Sequence, residues 1–439
     1  MANRIYLCLA HMSEAGLEQK YIQEAFDTNW VAPLGPNVNG FEEDLKAFVG
    51  QGKEVVALTT GTAAVHLSLI ACGVEPGDEV ITQSFTFCAS AHPVTYLGAT
   101  PVFVDSEKET WNMDPDLLEE AIKDRIAKTG KKPKVIMPVA LYGMPYQIDR
   151  ILEIANRYDI PVVEDAAEGF GSRYDGQVLG TFGRYGILSF NGNKMITTSG
   201  GGALICPNKE EGDRVMWYAT QARESYPYYQ HETIGYNYRM SNICAGIGRG
   251  QMTIVNEHIA HHQHVHQLYV ELFSKIDGIE VHSQPANGRY ASNYWLTSIL
   301  IDESLKIKGQ ENAYKNIITS PVGGVPAVIH AASSARTDCQ PNDNVEALRM
   351  ALEKAGIESR PLWKPMHKQP VYCRTNEKLG MRNEELSHGI IRQTSATSVA
   401  YVNGVSENIF KKGMCLPAGP WVKDEDVKRI VETIKANII

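Results

Sequence analysis

Apolar and polar positions along this chain fall into two alternating periods. Short apolar runs at 55–60, 79–82, 101–105, 135–141, 160–164 and 186–190 have the length and content of buried strands. Between them, apolar residues recur at helical spacing over 14–28, 38–49, 65–72, 115–129 and 148–158. Strands that alternate with helices predict a mainly parallel central sheet with helices on both faces. A long helix is expected from Asn242 to about Ile276, with Gly246, Gly248 and Gly250 allowing close packing. The pattern shifts near Pro285, where a smaller C-terminal α+β domain begins. It carries a strand at 295–301 and helices at 345–355 and 424–436. The expected division is a large α/β domain over 1–284 and a small domain over 285–439. Two stretches of the latter, near 306–344 and 374–402, lack periodicity and read as irregular insertions.

Candidate chemistry gathers at the ends of the predicted strands. After the 186–190 run comes a polar turn with one lysine, Asn191-Gly192-Asn193-Lys194, and then Gly200-Gly201-Gly202 before a second apolar run. Gly and Asn let the backbone turn sharply, and the glycine triplet lets another backbone or a planar ligand come close. By itself this reads as a hairpin tip with a solvated lysine. Asp165 ends an earlier buried-strand pattern, and a Schiff-base lysine with a carboxylate partner for a ring nitrogen is the pairing pyridoxal phosphate uses. Gly61-Thr62-Ala63 turns a strand into a helix, so free N–H groups and a positive helix end offer an anion site, though many α/β turns look alike. Phe87 follows another strand and either packs in the core or stacks on a flat ring. Trp30, in a loop rich in Pro and Gly, is either a packing plug or a pocket wall. Ligands of such sheets sit beyond the strands' carboxyl ends, where Gly61, Phe87, Asp165 and Lys194 converge.

Charge and composition narrow the partners. A net charge of −9 gives no reason to expect nucleic acid or membrane, so an anionic substrate needs locally placed cations. The eight cysteines have neither C-x-x-C nor zinc spacing and read as reduced thiols of a cytoplasmic protein. The mildly apolar start is too short for a signal segment, and no run approaches a membrane span. His258, His262 and His266 are spaced i,i+4, which permits a metal site geometrically. No cysteine or acid completes one, so the histidines are expected on a solvated or interface face, with no metal bound. Residues 357–367 are dense in Arg, Trp, Lys and His, a composition able to grip an anion and stack on a sugar or base.

Six stretches together resemble the DegT/DnrJ/EryC1/StrS sugar aminotransferase family. They are Gly-Thr-Ala-Ala at 61–64, Thr-Phe-Cys-Ala-Ser at 86–90, Glu-Asp-Ala-Ala-Glu at 164–168, Ser-Phe-Asn-Gly-Asn-Lys at 189–194, Gly-Tyr-Asn-Tyr-Arg-Met-Ser at 235–241 and Gly-Met-Cys-Leu-Pro-Ala-Gly at 413–419. Within that family, Asn-Gly-Asn-Lys followed by Ile-Thr-Thr-Ser-Gly-Gly-Gly, and Ser-Arg-Pro-Leu-Trp-Lys-Pro-Met-His at 359–367, are similar to the bacillosamine-type transaminases. Those act on a UDP-linked 4-keto-6-deoxy-N-acetyl sugar.

The resemblance implies a fold-type I transferase with pyridoxal 5'-phosphate on Lys194 as a Schiff base. It implies that Asp165 pairs with the ring nitrogen and that Glu168 lies by the ring hydroxyl. Phe87 would stack on the ring, and Gly61, Thr62, Ala63 and Ser189 would hold the phosphate. Asn237 would reach the phosphate from the other subunit of a homodimer whose active site lies at the interface. Trp30, Arg360, Trp363 and His367 would line the substrate pocket. Members that dehydrate at C3 replace the lysine with histidine, so Lys194 implies transamination from glutamate. The substrate expected is UDP-4-keto-6-deoxy-N-acetylglucosamine. A GDP-4-keto-6-deoxymannose of the perosamine type or a cyclitol would use the same cofactor residues. A non-catalytic sugar-nucleotide sensor on the same fold would have no need of both Lys194 and Asp165. A nicotinamide oxidoreductase would suit the sheet but would need the G-x-G-x-x-G that this chain lacks.

Overall fold

The computed structural model describes residues 4–314, 339–373, 382–386 and 389–439. In chain order its main elements begin with α1 (Leu17–Asp27), α2 (Pro36–Val49), β1 (Glu54–Leu58), α3 (Gly61–Ala71), β2 (Glu79–Gln83) and β3 (Thr100–Val104). Next come α4 (Pro115–Thr129), β4 (Val135–Met137), α5 (Ile148–Arg157), β5 (Val163–Asp165), β6 (Tyr185–Ser189) and β7 (Gly202–Cys206). They are followed by α6 (Lys209–Ala219), α7 (Asn242–Met252), α8 (Val255–Phe273), β8 (Ile279–Val281), β9 (Thr297–Ile301), α9 (Asp343–Lys354) and β10 (Arg360–Pro361). The last are β11 (Arg382–Glu385), β12 (Ile391–Thr394), β13 (Val399–Val402), α10 (Val405–Lys412), β14 (Gly413–Leu416) and α11 (Asp424–Asn437).

The central sheet is a six-stranded piece, β11-β12-β13-β3-β2-β4, and a four-stranded piece, β5-β6-β7-β1. Parallel bridges at Ile136–Val162 and Val139–Asp165 join them between β4 and β5. The pairs from β13 through β6 are parallel, and β7 is antiparallel to both of its neighbours. The strands are buried on both faces, which is why they read as continuous apolar runs. This is a mixed α/β fold of the fold-type I kind. A second sheet, β8-β9-β14-β10, is antiparallel and packs its own core against α8, α9 and α11.

Four expectations change. The stretch at 374–402 is not irregular where it is described: β11, β12 and β13 form an antiparallel ribbon. The last of them lies parallel to β3, Val399–Val102 through Tyr401–Val104, so a late segment extends the early sheet. Arg392 fastens the ribbon to α4 through Asp124, at 2.8 and 2.6 Å, and Tyr401 donates to the same carboxylate. In turn β8, which precedes residue 285, belongs to the small sheet. The two sheets therefore do not part at residue 284. Of the other insertion, 315–338 lie outside the described residues, as do 374–381 and 387–388.

The long helix expected from Asn242 is two helices. It stops at Thr253, whose hydroxyl bonds back to the carbonyl of Gly250 at 2.6 Å, and resumes at Val255. The histidines of α8 are not on a solvated face either. His258, His262 and His266 are buried, because a neutral imidazole packs as a flat, half-apolar ring. His258 Nδ1 lies 3.0 Å from the carbonyl of Met195, and His266 stacks on Tyr294 with centroids 3.6 Å apart. Only His264, on the outer side, is exposed, 2.8 Å from Asp424. No helix of the described residues is long and apolar enough to cross a membrane.

Candidate active site

The carboxyl ends of β1, β2, β5 and β6 open into a cavity of about 270 Å³. Its lining includes Gly61, Thr62, Phe87, Asp165, Glu168, Ser189, Lys194 and Trp363 of the residues expected from sequence. A larger open groove lies at the opposite strand ends, among Lys132, Asn156 and Arg184, and holds none of this chemistry.

Lys194 hangs from the turn after β6. Its N–H donates to the carbonyl of Asn191 at 2.9 Å, and the N–H of Phe190 ties the turn to Gly201. The glycines are needed for two different contacts. A Cβ on Gly202 would meet the amide nitrogen of Gly61 at 2.4 Å, and one on Gly201 would meet Thr198 Oγ1 at 2.0 Å. The turn thus presses directly on the start of α3. Lys194 Nζ lies 3.4 Å from Glu168 Oε1 and 3.9 Å from the ring centroid of Trp295. The buried Trp295 is aimed by two bonds: its indole N–H donates to the carbonyl of Asn193 at 2.6 Å, and its backbone N–H to Asn293 Oδ1 at 2.9 Å. An ammonium over an indole face gains a cation–π contact.

Asp165 ends β5 and is buried. Oδ2 accepts from the hydroxyl of Ser90 at 2.6 Å, and Oδ1 from the amide of Ala167 at 3.1 Å. Ser90 is held in turn by Thr86, 2.8 Å away. Glu168 Oε2 accepts the N–H of Tyr142 at 2.7 Å. Burial pushes the carboxyls of Asp165 and Glu168 above their usual range; the Ser90 hydroxyl opposes this at Asp165, and the charge of Lys194 opposes it at Glu168.

At the start of α3, Thr60 caps the helix: its hydroxyl accepts the N–H of Ala63 at 2.9 Å. The amides of Gly61 and Thr62, one turn of dipole-positive helix end, face the cavity without such a partner among the described residues. Ala63 is therefore the expected phosphate residue that is already occupied, and it does not line the cavity. Phe87 is 50 % exposed, an apolar face left open toward the site, with Trp363 5.5 Å away between centroids.

These groups fit pyridoxal phosphate. A free helix end suits a phosphate, and a bare aromatic face suits a flat ring. Buried acids whose charge is unfavourable alone suit a cationic ring nitrogen, and one lysine is within reach. Gly61, Thr62 and Ser189 would hold the phosphate, Phe87 the ring face, Asp165 its nitrogen and Lys194 the aldehyde carbon.

Four other expected residues do not line this cavity. Trp30 lies 41 % exposed in its loop, its carbonyl accepting from Asn242 Nδ2 at 2.9 Å. Arg360 turns to Glu358, 2.8 Å away. His367 is buried, with Nδ1 2.6 Å from Ser84 Oγ and Nε2 3.1 Å from Glu407. Burial works against the charge of Glu407, yet bonds from His367 and Lys368 bring its carboxyl down to about 2. His367 thus anchors its segment from below. Asn237 pairs with Thr220 in a short bridge away from the cavity. Ser90, Tyr142, Asn193 and Trp295 went unread in the sequence. Ser90 lies in the 86–90 motif and Trp295 at a predicted strand start, but Tyr142 carries no sequence signal.

A family model described as the DegT/DnrJ/EryC1/StrS aminotransferase family matches residues 13–319. The chain is 39% identical over 434 residues to EpsN of Bacillus subtilis (strain 168), named as a pyridoxal phosphate-dependent aminotransferase, covering 99% of this chain and 96% of that protein. It is 31% identical over 429 residues to the GDP-perosamine synthase of Escherichia coli O157:H7, covering 98% of both. A DegT DnrJ EryC1 StrS aminotransferase from Brucella abortus has the same fold, with a TM-score of 0.76 at 25% identity over 96% of this chain and 95% of that one.

Proposed function

Because the chain belongs to the DegT/DnrJ/EryC1/StrS aminotransferase family and is a pyridoxal phosphate-dependent sugar aminotransferase, we propose that it carries the amino group of glutamate to the 4-keto carbon of UDP-4-keto-6-deoxy-N-acetylglucosamine. The observation that supports this reading is the single cavity shared by Lys194, Asp165 and the open end of α3. When bound, pyridoxal phosphate supplies the carbonyl that takes up the amino group and the electron sink for the carbanion.

The chain's own residues supply the rest. Lys194 is the base that takes the α-proton of glutamate and the acid that returns a proton to C4 of the sugar. Its Nζ is kept near that path by Glu168 on one side and Trp295 on the other. Asp165, fixed by Ser90 and Ala167, holds a proton on the ring nitrogen. Burial of both acids keeps water from competing for these protons. Trp363 gives the apolar wall that a 6-deoxy sugar needs, beside the Phe87 ring that would lie on the cofactor.

A GDP-linked sugar is the second reading, favoured by the likeness to GDP-perosamine synthase over nearly the whole chain. Competition between UDP-4-keto-6-deoxy-N-acetylglucosamine and GDP-4-keto-6-deoxymannose separates the two. The UDP sugar is expected to win by about 100-fold in kcat/KM. A preference for the GDP sugar would retire the first reading and keep the aminotransferase.

The active unit of this reading is a homodimer in which Asn237 of the partner subunit completes the phosphate site. Phe26, Trp30, Val31 and Leu34, with Tyr228, Tyr229 and Ile234, leave apolar surface exposed on two segments, as an interface would. Light scattering on the eluting protein is expected to return twice the chain mass. A monomer with full activity would reject this.

A further inference from the structure

Tyr142 stands in a left-handed backbone conformation, φ 53° and ψ 19°, which a bulky side chain adopts only under strain. The residue is buried at 4 % exposure. This backbone turn aims its N–H at Glu168, whose Oε2 accepts it at 2.7 Å, while the other oxygen of Glu168 is the one 3.4 Å from Lys194 Nζ. On its other side, the Tyr142 hydroxyl accepts the backbone N–H of Trp363 at 2.8 Å. The two rings also lie together, with centroids 5.8 Å apart and planes at 29°.

The two contacts reach different parts of the molecule. Glu168 and Lys194 follow β5 and β6 of the central sheet. Trp363 follows β10 of the small sheet, and its indole N–H is buried with no partner among the described residues. Glycine would take the backbone conformation freely and would still hold Glu168. It would have nothing to hold Trp363. Besides packing its ring in the core against Phe85, tyrosine adds at this position the tie to the cavity wall. A flat aromatic wall recognises the apolar edge of a deoxysugar and does little for the dicarboxylate of glutamate.

We infer that Tyr142 is a positioning residue for the sugar half-reaction: its hydroxyl fixes the Trp363 wall against which the sugar binds, while its backbone N–H holds Glu168 for both halves. This rests on the reading of the cavity as the sugar site.

Tyr142→Phe keeps the ring and the backbone N–H and removes the bond to Trp363. The KM for the keto sugar is expected to rise about fivefold to tenfold, the factor that one hydrogen bond is worth. Calorimetry of the same UDP-sugar on cofactor-free protein is expected to show the same weakening. The KM for glutamate, and the rate at which glutamate bleaches the visible band, should stay within about twofold. If the first variant does not fold, Trp363→Ala, which removes the wall itself, should show the same split. Equal losses in both half-reactions, or an unchanged sugar KM, would overturn the inference. Trp363→Ala separates the two levels. If it too leaves sugar binding unchanged, the sugar-wall reading fails and the inference with it; if it weakens sugar binding while Tyr142→Phe is silent, only the role of Tyr142 is lost.

Discussion

Lys194→Ala is expected to lose both half-reactions, with turnover lowered by at least about a thousandfold. The amine is asked to serve as attachment point and proton carrier at once, and removal of a positioned acid–base group alone accounts for about 10² to 10⁴ in rate. The fold should survive. Lys194 lies at 13% side-chain exposure against Glu168 and the Trp295 ring, and its loss leaves a buried carboxyl without its cation. Burial already pushes Glu168 upward, so without Lys194 it takes a proton and stays neutral. Stopped-flow absorbance after adding glutamate reads the first half-reaction, and coupled assay with the keto sugar reads the second. Thermal melting close to that of the parent protein shows that the loss is chemical. A variant that turned over at the normal rate would remove Lys194 from the mechanism.

The second large effect is acid sensitivity set by α8. His262 is fully buried, and burial brings its pKa down to about 3. Burial brings His266, stacked on Tyr294, down to about 4. In the unfolded chain both titrate near 6.5. A folded-state pKa below the unfolded one means that the unfolded chain binds protons first. The stability these rings contribute is therefore full above about pH 6.5 and falls as pH drops toward the folded values. Each loses about 1.4 kcal/mol per pH unit in that window, so the pair costs about 4 kcal/mol at pH 5. That is a large part of a typical folding free energy of about 5–15 kcal/mol. Asp165 and Glu168, raised by burial, act with the opposite sign and favour the fold at lower pH. The measurement is therefore a difference. Urea unfolding of the parent and of the His262→Leu/His266→Gln variant at pH 7, 6 and 5 should show the parent losing about 4 kcal/mol relative to the variant as pH falls. Parallel pH curves would show that neither ring titrates with unfolding.

The central sheet was legible in the sequence because its strands are buried on both faces, and continuous apolar runs between amphipathic helices permit few other arrangements. Lys194, Asp165, Phe87 and Gly61 were legible for a related reason. Each follows directly on such a run, and the carboxyl ends of a parallel sheet collect at one edge. Local sequence decides such positions, since backbone direction is fixed by the strand before them. The burial of the α8 histidines was not legible, because i,i+4 spacing defines a face without saying what covers it. The ribbon of β11, β12 and β13 was misread because β13 owes its place to β3, almost three hundred residues earlier, and its charged neighbours hide the strand pattern. Trp295 and Tyr142 are tied to the site by contacts between remote segments: the indole with the Asn193 carbonyl, and the phenol with the Trp363 amide. The gathering of Gly61, Phe87, Asp165 and Lys194 at one cavity from the strand ends was thus determined by the sequence alone. The residues that aim them were decided by tertiary packing, because a hydrogen bond between remote segments leaves no periodic trace in either one.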